Sequence, residues 1–356
     1  MLGLWAAALT FGAEFASAAP APTTPAPTPR LLLAADQASE RVLLLDPNNS
    51  SWLSRTGQQQ LSARRAALWS WSPADDSSLA DLSPHRTWQQ VSEAKCRVRH
   101  GRPWLLACAS GGLAAVVPFP AGRPYWATAI AGNVHTMELL PDGNVALAAS
   151  DRGFIRVYAA SQGPRFGRYA QFDVPEAHGL QWDSARNVLW ALGAGRLLAL
   201  KVTGTAADPG LAPVVSVRLP GPEGHDLSAV AADPDRLWVT TGSHVYQYGI
   251  TDGAFVRYAG EKEIDRRGVK SVSDDPGTGH VVTVAADSET PYSWCTSTLT
   301  FHMPEASRRI DGAKLYKARW MPSPGLDPVL ARPGAASAPS APSAPSAPSA
   351  PDGQDR

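Results

Sequence analysis

Five internal repeats between residues 95 and 287 constrain the fold of this chain more than any other feature. Each repeat begins with a polar residue and a short alternating strand, continues through a Gly/Pro/Asp/Asn turn, and ends in a strongly apolar strand. A third β-like stretch follows each repeat, and often a fourth. The first residues, spaced 40, 43, 47 and 45 positions apart, are Lys95, His135, His178, His225 and Lys270. Four strands in 40–47 residues are typical of a β-propeller blade, whereas a solenoid repeat would contain a pair of helices.

The two ends of the repeat region complement each other. The segment KARWMPSPG begins at Lys317, 47 residues after Lys270, and supplies an inner strand and a turn without a second strand. The N-terminal segments RLLLAAD, RVLLLD and RAALWSW read as second, third and fourth strands. Pairing the C-terminal inner strand with these outer strands closes the ring and leaves no free sheet edge. The sequence therefore predicts an all-β, six-bladed propeller, with seven blades as the alternative if residues 72–92 contain a further strand.

Composition divides the chain into four segments. Residues 1–18 are apolar, lack Lys and Arg, and end in Ala16-Ser17-Ala18, which predicts a signal peptide and a secreted or periplasmic protein. Because the stretch lacks a basic flank and contains Glu14, a chain that is not exported is the alternative. Residues 19–29 form a Pro-rich spacer and residues 30–325 the propeller. Residues 333–356 are a Ser/Ala/Pro tail that cannot bury a core, so we expect disorder there.

The charge balance limits the partners of the protein. The chain has 32 basic and 32 acidic residues, which argues against broad electrostatic binding of nucleic acid or of an anionic membrane. Beyond the N-terminal stretch no segment approaches the length of a membrane-spanning helix, so no transmembrane segment is expected. We expect a monomer whose charge preference arises from the local placement of residues.

Several phrases resemble a known family. The segments LLLAADQASERVLLLD, GNVHTMELLPDGN, HGLQWDSARNVLWALG, GHDL, VKSV and YKARW together resemble a family of exported bacterial propeller proteins, WD40-like and catalogued as a domain of unknown function. The resemblance spans roughly residues 30–321. It implies a propeller and an extracytoplasmic location, and it carries no established activity.

Aligning the repeats places one polar residue of each blade at the same position. The inner strand of a propeller blade begins at the top face beside the central channel, so these side chains are predicted to converge at the channel mouth. The second strand ends at the same face, which brings Asp36, Gln37, Ser110, Asp151 and Asp287 near the rim. The alternative is that each group hydrogen-bonds a neighbouring strand and fills the channel. The six predicted ring residues are Lys95, His135, His178, His225, Lys270 and Lys317.

Three Lys and three His form a positive mouth that suits a carboxylate, sulfate or phosphate, which an exported protein meets on acidic polysaccharides. The predicted ligand-binding residues are Lys95, Lys270, Lys317, Asp36, Gln37, Asp151 and Asp287. If the protein is an enzyme, His178, His135 and His225 are the candidate catalytic residues of a polysaccharide lyase, which needs a cation and a base near neutral pH. Glycoside hydrolysis ranks second, because it needs two facing carboxylates and strand alternation points Asp226 away from His225. A non-enzymatic interaction propeller is the competing class.

Two further predictions concern metal and cysteine. No cofactor is expected. The alternative is a divalent metal held by His135, His178 and His225, which the nearby Lys residues would oppose. Cys96 and Cys108 appear symmetric about the turn at Gly101-Arg102-Pro103, which in an exported protein predicts a disulfide and leaves Cys295 unpaired. The alternative is a pair of buried thiols.

Overall fold

A computed structural model describes residues 30–48, 66–287 and 293–322. The predicted signal peptide, spacer and tail lie outside the described residues. The described chain forms six four-stranded antiparallel sheets arranged as a six-bladed β-propeller, which confirms the predicted fold class. Within those ranges no helix has the length and hydropathy needed to cross a membrane.

The strands follow the chain order blade by blade. The first three are β1 (Leu32–Asp36), β2 (Arg41–Leu45) and β3 (Ala67–Trp71). Blade 1 contains β4 (Val91–Arg99), β5 (Arg102–Ala109), β6 (Leu113–Pro118) and β7 (Trp126–Ala129). Blade 2 contains β8 (Val134–Leu139), β9 (Val145–Ala149), β10 (Phe154–Tyr158) and β11 (Tyr169–Asp173). Blade 3 contains β12 (Gly179–Asp183), β13 (Val188–Leu192), β14 (Arg196–Gly204) and β15 (Pro209–Arg218).

The last blades complete the ring. Blade 4 contains β16 (Leu227–Val230), β17 (Asp233–Thr240), β18 (Val245–Gly249) and β19 (Ala254–Val256). Blade 5 contains β20 (Val269–Asp274), β21 (Val281–Ala285), β22 (Thr298–His302) and β23 (Ala306–Arg309). Blade 6 has the order β24–β1–β2–β3, in which β24 (Leu315–Trp320) pairs antiparallel with β1 from Leu32↔Trp320 to Asp36↔Leu315. The predicted closure of the ring is therefore confirmed.

The segment between β3 and β4 contains short helical turns. Two 3-10 helices cover Pro73–Asp75 and Ser77–Leu82, and a single α-helical turn covers Pro84–Thr87. The first turn is capped by the Ser72 hydroxyl, which accepts a hydrogen bond from the amide of Ala74 at 3.4 Å. No strand forms between Ser72 and Gln90, so the seven-bladed alternative is not realised. A four-residue helix, Glu261–Ile264, precedes blade 5.

The hydrophobic core lies between adjacent blades. One cluster joins β1 and β2 to blade 1 through residues such as Leu44 and Leu105, both fully buried. Comparable clusters of buried Leu, Val and Ala side chains separate the other blades. Burying one Leu or Val side chain contributes about 1.5–3 kcal/mol, so these faces hold the blades at fixed angles around the channel.

Candidate functional site

A β-bulge at the start of the inner strand decides which side chains reach the channel mouth. In each of four blades, one residue of the inner strand has no partner in the second strand. These unpaired positions are Ser92, His135, Lys270 and Tyr316. In the other two, His178 donates its amide to the Leu192 carbonyl and His225 to the Thr240 carbonyl, each at 2.8 Å. These hydrogen bonds place both histidines at the corresponding position. The six residues at the mouth are therefore Ser92, His135, His178, His225, Lys270 and Tyr316.

Four of the six predicted ring residues occupy this position, and two do not. Lys317 lies one residue after the bulge in β24, and Lys95 lies three residues after the bulge in β4. The two inner strands of blade 1 are longer than those of blade 2: from Ser92 to Ala109 there are three residues more than from His135 to Ala149. Aligning the two repeats at their turns therefore placed Lys95, instead of Ser92, at the ring position of blade 1. Lys95 and Lys317 are buried inside the channel, 2% and 0% exposed. Both fit the alternative in which such groups fill the channel.

Three histidine rings stack at the mouth. The ring centroids of His135 and His178 are 4.1 Å apart, and those of His178 and His225 are 4.7 Å apart. The hydroxyl of Tyr316 lies 3.0 Å from His135 Nδ1 and 2.9 Å from His225 Nε2. The four aromatic side chains thus form one contiguous group, which we call the mouth cluster.

The backbone fixes the tautomer of His178. Its Nδ1 lies 2.7 Å from the Glu176 carbonyl oxygen, which can only accept, so Nδ1 carries the hydrogen. Nε2 therefore holds the lone pair. Burial lowers the pKa of His178 to about 4, although the hydrogen bond to Glu176 opposes that shift. At pH 7 the half-buried imidazole is a neutral base with a known orientation.

The rest of the mouth cluster is also neutral. Burial lowers the pKa of His135 and His225 well below the ordinary value, and the neighbouring His178, Lys270 and Lys317 lower it further. Burial raises the pKa of Tyr316 well above its ordinary value. The positive charge at the mouth therefore does not come from histidine.

Lys270 supplies that charge. Its side chain is half-buried, and within the described ranges no group lies within hydrogen-bonding or ion-pair distance of Nζ. Burial lowers the pKa of Lys270, the Glu223 carboxylate raises it and Lys317 lowers it. Lys270 is thus an ammonium at the mouth whose hydrogen-bonding capacity is available to a ligand.

Below the mouth, buried ion pairs fill the channel. Lys317 Nζ lies 3.1 Å from Asp226 Oδ1 and 3.6 Å from Glu93 Oε2, and it donates to the His135 carbonyl. The guanidinium of Arg319 donates to both carboxylates, at 2.5–3.2 Å. Burial alone would raise the pKa of Glu93, but Arg319, Lys95 and Lys317 hold it well below its ordinary value. These contacts connect blades 1, 2, 4 and 6 across the axis.

A second layer lies deeper in the channel. Lys95 donates to the Thr136 hydroxyl at 3.0 Å and to the Leu180 carbonyl at 2.9 Å. Glu138 accepts two hydrogen bonds of 2.8 Å from the guanidinium of Arg97. Among the described residues that form these ion pairs below the mouth, four of cationic type face three carboxylates. They are Lys95, Arg97, Lys317 and Arg319 against Glu93, Glu138 and Asp226.

The prediction that Asp226 points away from His225 was wrong. The Thr240 amide donates to the Asp226 carbonyl, while the Thr240 carbonyl accepts from the His225 amide. Because two consecutive residues face one residue of β17, both side chains turn toward the channel. The same effect brings Glu93 into the channel next to Ser92. The bulge, which the sequence pattern does not mark, produces this difference.

The predicted rim residues have different surroundings. Asp36 is fully buried and accepts hydrogen bonds from the amides of Ala38, Ser39 and Lys314. Gln37 bridges the Val91 carbonyl and the Trp294 indole. Asp287 accepts a hydrogen bond from the Thr296 hydroxyl. Asp151 is exposed and accepts a hydrogen bond from Asn133 at 3.0 Å. Its charge raises the pKa of His178, which places it near the mouth cluster.

The three histidine rings stack on one another. The rings of His135 and His178 are tilted by 30° and those of His178 and His225 by 37°. One nitrogen of each ring already faces Tyr316 or Glu176. The described part of the chain contains no group of three or more His, Cys, Asp or Glu side chains that could hold a metal ion.

The structure contradicts the predicted disulfide. Arg99 pairs with Arg102, so Cys96 lies opposite Leu105, whereas Cys108 lies opposite Glu93. Cys96 packs into the cluster with β1 and β2, and Cys108 packs into the cluster toward blade 2, on the other face of the sheet. Cys96 and Cys108 are buried free thiols, and burial raises the pKa of both to about 12.

The geometry defines a six-bladed propeller whose channel is filled by ion pairs and covered by a neutral His–Tyr cluster beside one available ammonium. The chain belongs to a family of unknown function, DUF6528, whose model matches residues 42–329. This confirms the resemblance to a propeller family of unknown function. No curated protein matches the chain.

Three solved structures are similar to the chain. A protein of unknown function from Bacteroides caccae is 11% identical with a TM-score of 0.51, and the match covers 83% of this chain and 99% of that one. A chain of a mitotic checkpoint complex is 12% identical with a TM-score of 0.44, over 84% and 85% of the two chains. A streptogramin B lyase is 10% identical with a TM-score of 0.40, over 62% and 70%.

Proposed function

We propose that the mouth of the channel binds the carboxylate of an acidic ligand, with Lys270 as its cationic partner. The observation that carries this proposal is the half-buried Lys270 ammonium, which has no hydrogen-bond or ion-pair partner among the described residues. A partly desolvated ammonium stabilises an anion more strongly than an exposed one does, because water screens the charge less. The neutral histidines beside it offer hydrogen bonds without adding like charge.

The rim favours a saccharide over a compact anion. Asp151 and Glu223 are exposed near the mouth, and both can accept hydrogen bonds from sugar hydroxyls. Trp294 is 36% exposed and its indole is hydrogen-bonded to Gln37, so it offers a surface on which a sugar ring can stack. We therefore propose an acidic polysaccharide, such as one containing uronic acids, as the ligand of an exported protein.

His178 makes a lyase reaction the favoured chemistry. Once Lys270 neutralises the carboxylate of a uronate, the neighbouring C–H becomes more acidic. His178 Nε2 then takes this proton, and the C–H electron pair forms a carbon–carbon double bond as the glycosidic C–O bond breaks. The departing oxygen takes up a proton, so the reaction needs no water and no oxidant. At pH 7 this imidazole is unprotonated and oriented, but its pKa of about 4 makes it a weaker base than a group with a pKa near 7.

A binding protein without catalysis is the second candidate. Lys95 and Lys317 are fully committed to internal ion pairs, which makes the channel a rigid support for the mouth. A rigid top face with one available cation is also what a binding platform requires.

Binding and turnover separate these candidates. We would screen acidic and neutral polysaccharides for binding and for the ultraviolet absorbance of unsaturated products, using wild type, Lys270→Met and His178→Gln. Lys201→Met, an exposed lysine of β14, is the matched control. The lyase proposal expects Lys270→Met to weaken binding and His178→Gln to abolish the product while binding remains. Binding without product supports the second candidate, and binding that is equal in wild type and Lys270→Met rejects the site.

A further inference from the structure

A single hydroxyl lies between two imidazoles at the mouth. Tyr316 contacts His135 Nδ1 at 3.0 Å and His225 Nε2 at 2.9 Å, on blades that lie on different sides of the channel. The Tyr316 side chain is buried, 3% exposed for the residue, so the imidazoles satisfy its hydroxyl in place of bulk water. The phenol has one hydrogen to donate and can also accept.

When the phenol hydrogen lies in one of these two contacts and both are hydrogen bonds, the arrangement has two hydrogen-bonding states. If Tyr316 donates to His135 Nδ1, that nitrogen is bare and His225 Nε2 must carry the hydrogen that the phenol oxygen accepts. In the other state both bonds reverse, so His225 Nε2 is bare and His135 Nδ1 carries the hydrogen. The tautomers of the two histidines are therefore tied together through Tyr316.

We propose that His135, Tyr316 and His225 form a proton relay that supplies the proton taken up by the departing oxygen in the lyase reaction. This inference rests on the proposed function and deepens it. Tyr316 acts as a positioning residue, since it works through the two imidazoles. His178 takes a proton from substrate carbon, and the relay gives one to substrate oxygen. For the step to balance, protonated His178 gives its proton to His225 Nδ1, one proton moves along each hydrogen bond of Tyr316, and His135 Nε2 gives its hydrogen to the substrate oxygen. Every ring is then neutral, and the tautomers of His135 and His225 are exchanged.

The surroundings favour movement of a proton over accumulation of charge. The charged groups that face the relay are Glu93 of blade 1, Asp226 of blade 4, Lys270 of blade 5 and Lys317 of blade 6, with His178 of blade 3 stacked on it. The two carboxylates are already bound by Arg319 and Lys317. A charged imidazolium held there would meet Lys270 and Lys317, whereas a concerted shift that takes up a proton at His225 Nδ1 and releases one from His135 Nε2 leaves each ring neutral.

The relay is tested in the free protein, without any ligand. Histidine labelled with ¹⁵N in the full chain reports which ring nitrogens carry hydrogen, and His135→Gln, His178→Gln and His225→Gln assign the signals. We expect one of the two nitrogens facing Tyr316 to be protonated and the other bare. Finding both nitrogens in the same protonation state in wild type would overturn the relay.

Tyr316→Phe removes the shared hydroxyl and keeps the ring. We expect the signals of His135 and His225 to change together while His178 keeps its Nδ1–H tautomer. Tyr125→Phe, which loses a 2.9 Å hydrogen bond to the Gly143 carbonyl away from the mouth, is the control and should leave all three histidines unchanged. Unchanged His135 and His225 signals in Tyr316→Phe would also reject the relay.

A ligand from the polysaccharide screen separates the relay from the proposed function. Tyr316→Phe should lower turnover about 100-fold, the typical contribution of a general acid, with little change in binding. If the tautomers prove to be coupled through Tyr316 although the protein binds no acidic saccharide, that result would reject the proposed function and the chemical role of the relay. It would leave the coupling itself established. Turnover in Tyr316→Phe equal to that of wild type would reject the role alone.

Discussion

The ammonium of Lys317 lies 3.1 Å from the carboxylate of Asp226, although the two residues belong to blades that are not neighbours in the ring. This ion pair crosses the channel axis and is fully buried, with Arg319 bound to the same carboxylate. The channel is therefore held together through its centre as well as through the apolar contacts between adjacent blades.

Removing the carboxylate of Asp226 should destabilise the protein strongly. Asp226→Asn leaves Lys317 and Arg319 buried with one fewer counter-charge, and breaking a buried pair typically costs about 3–5 kcal/mol. Denaturant unfolding would measure the loss. Asp208→Asn removes an exposed partner of Arg168 and serves as the control, for which about 0–1 kcal/mol is expected. Equal effects of the two substitutions would contradict the structural role of the channel ion pairs.

Stability should fall in acid in two stages. The pKa of His178 is about 4 in the folded protein and about 6.5 when unfolded, and burial also depresses that of His135 and His225. The unfolded chain therefore binds more protons below pH ~6.5, so the free energy of unfolding decreases from there toward pH ~4. Below about pH 4 the depressed carboxylates of Glu93 and Asp226 are protonated as pH falls through their folded pKa, and stability drops again.

Chemical unfolding of wild type and His178→Gln across this pH range checks the first stage. The variant should lose less stability than wild type between pH ~6.5 and ~4, because it no longer carries one of the titrating groups. Parallel curves would show that His178 is not held in its neutral form by folding.

The closing strand should be indispensable. A chain ending at residue 310 lacks β24, which exposes the edges of β1 and of the neighbouring blades and removes Lys317 and Arg319 from the channel. We expect loss of cooperative unfolding, whereas deleting 333–356 should leave the melting transition unchanged. A cooperative melt of the shorter chain, similar to that of the full chain, would contradict the closure.

Gly179 allows close contact between blades 3 and 4. A Cβ at this position would lie 2.6 Å from Leu227 Cβ and 3.0 Å from Leu192 Cβ, so Gly179→Ala should cost about 1–3 kcal/mol through overpacking. Gly195→Ala, where no atom lies within 4 Å of the added carbon, is the matched control and should be nearly neutral. Thermal melts of both variants give the comparison, and a neutral Gly179→Ala would show that the two blades can separate at this point.

Ligand binding should depend on salt through Lys270. The wild-type affinity for an acidic saccharide should fall as salt rises, and Lys270→Met should both weaken binding at low salt, by about tenfold or more, and flatten the salt dependence. Titrations at several salt concentrations with wild type, Lys270→Met and Lys201→Met distinguish a contact at the mouth from general electrostatics. A salt dependence retained in Lys270→Met would place the cationic contact elsewhere.

The sequence predicted the fold well because its signals are local. The repeat spacing and the unpaired strand at Lys317 were sufficient to derive six blades and the closure through β1 and β24. The same features identified His135, His178, His225 and Lys270 at the mouth. The bulges were not predictable, because a single extra residue in a strand leaves no pattern of apolar and polar residues.

The bulges also explain which channel residues the sequence analysis failed to predict. Tyr316 and Ser92 stand where Lys317 and Lys95 were expected, and Glu93 and Asp226 face the channel against the expected alternation. Only the repeated Lys-x-Arg spacing at Lys95–Arg97 and Lys317–Arg319 could have indicated two cationic residues of one strand on the same face. The turn between β4 and β5 was placed too late, which also produced the wrong cysteine pairing.

Blade 6 has a consequence for the order of events during synthesis. The ribosome produces β1 long before β24, so Leu32 must wait for Trp320 before it can pair. Until then the growing chain carries an open arc with unpaired edges, and Glu93 and Asp226 lack the two cations that neutralise them. Native closure is therefore a late, non-local step, and a chain stalled before residue 315 should be a ready substrate for chaperones and proteases.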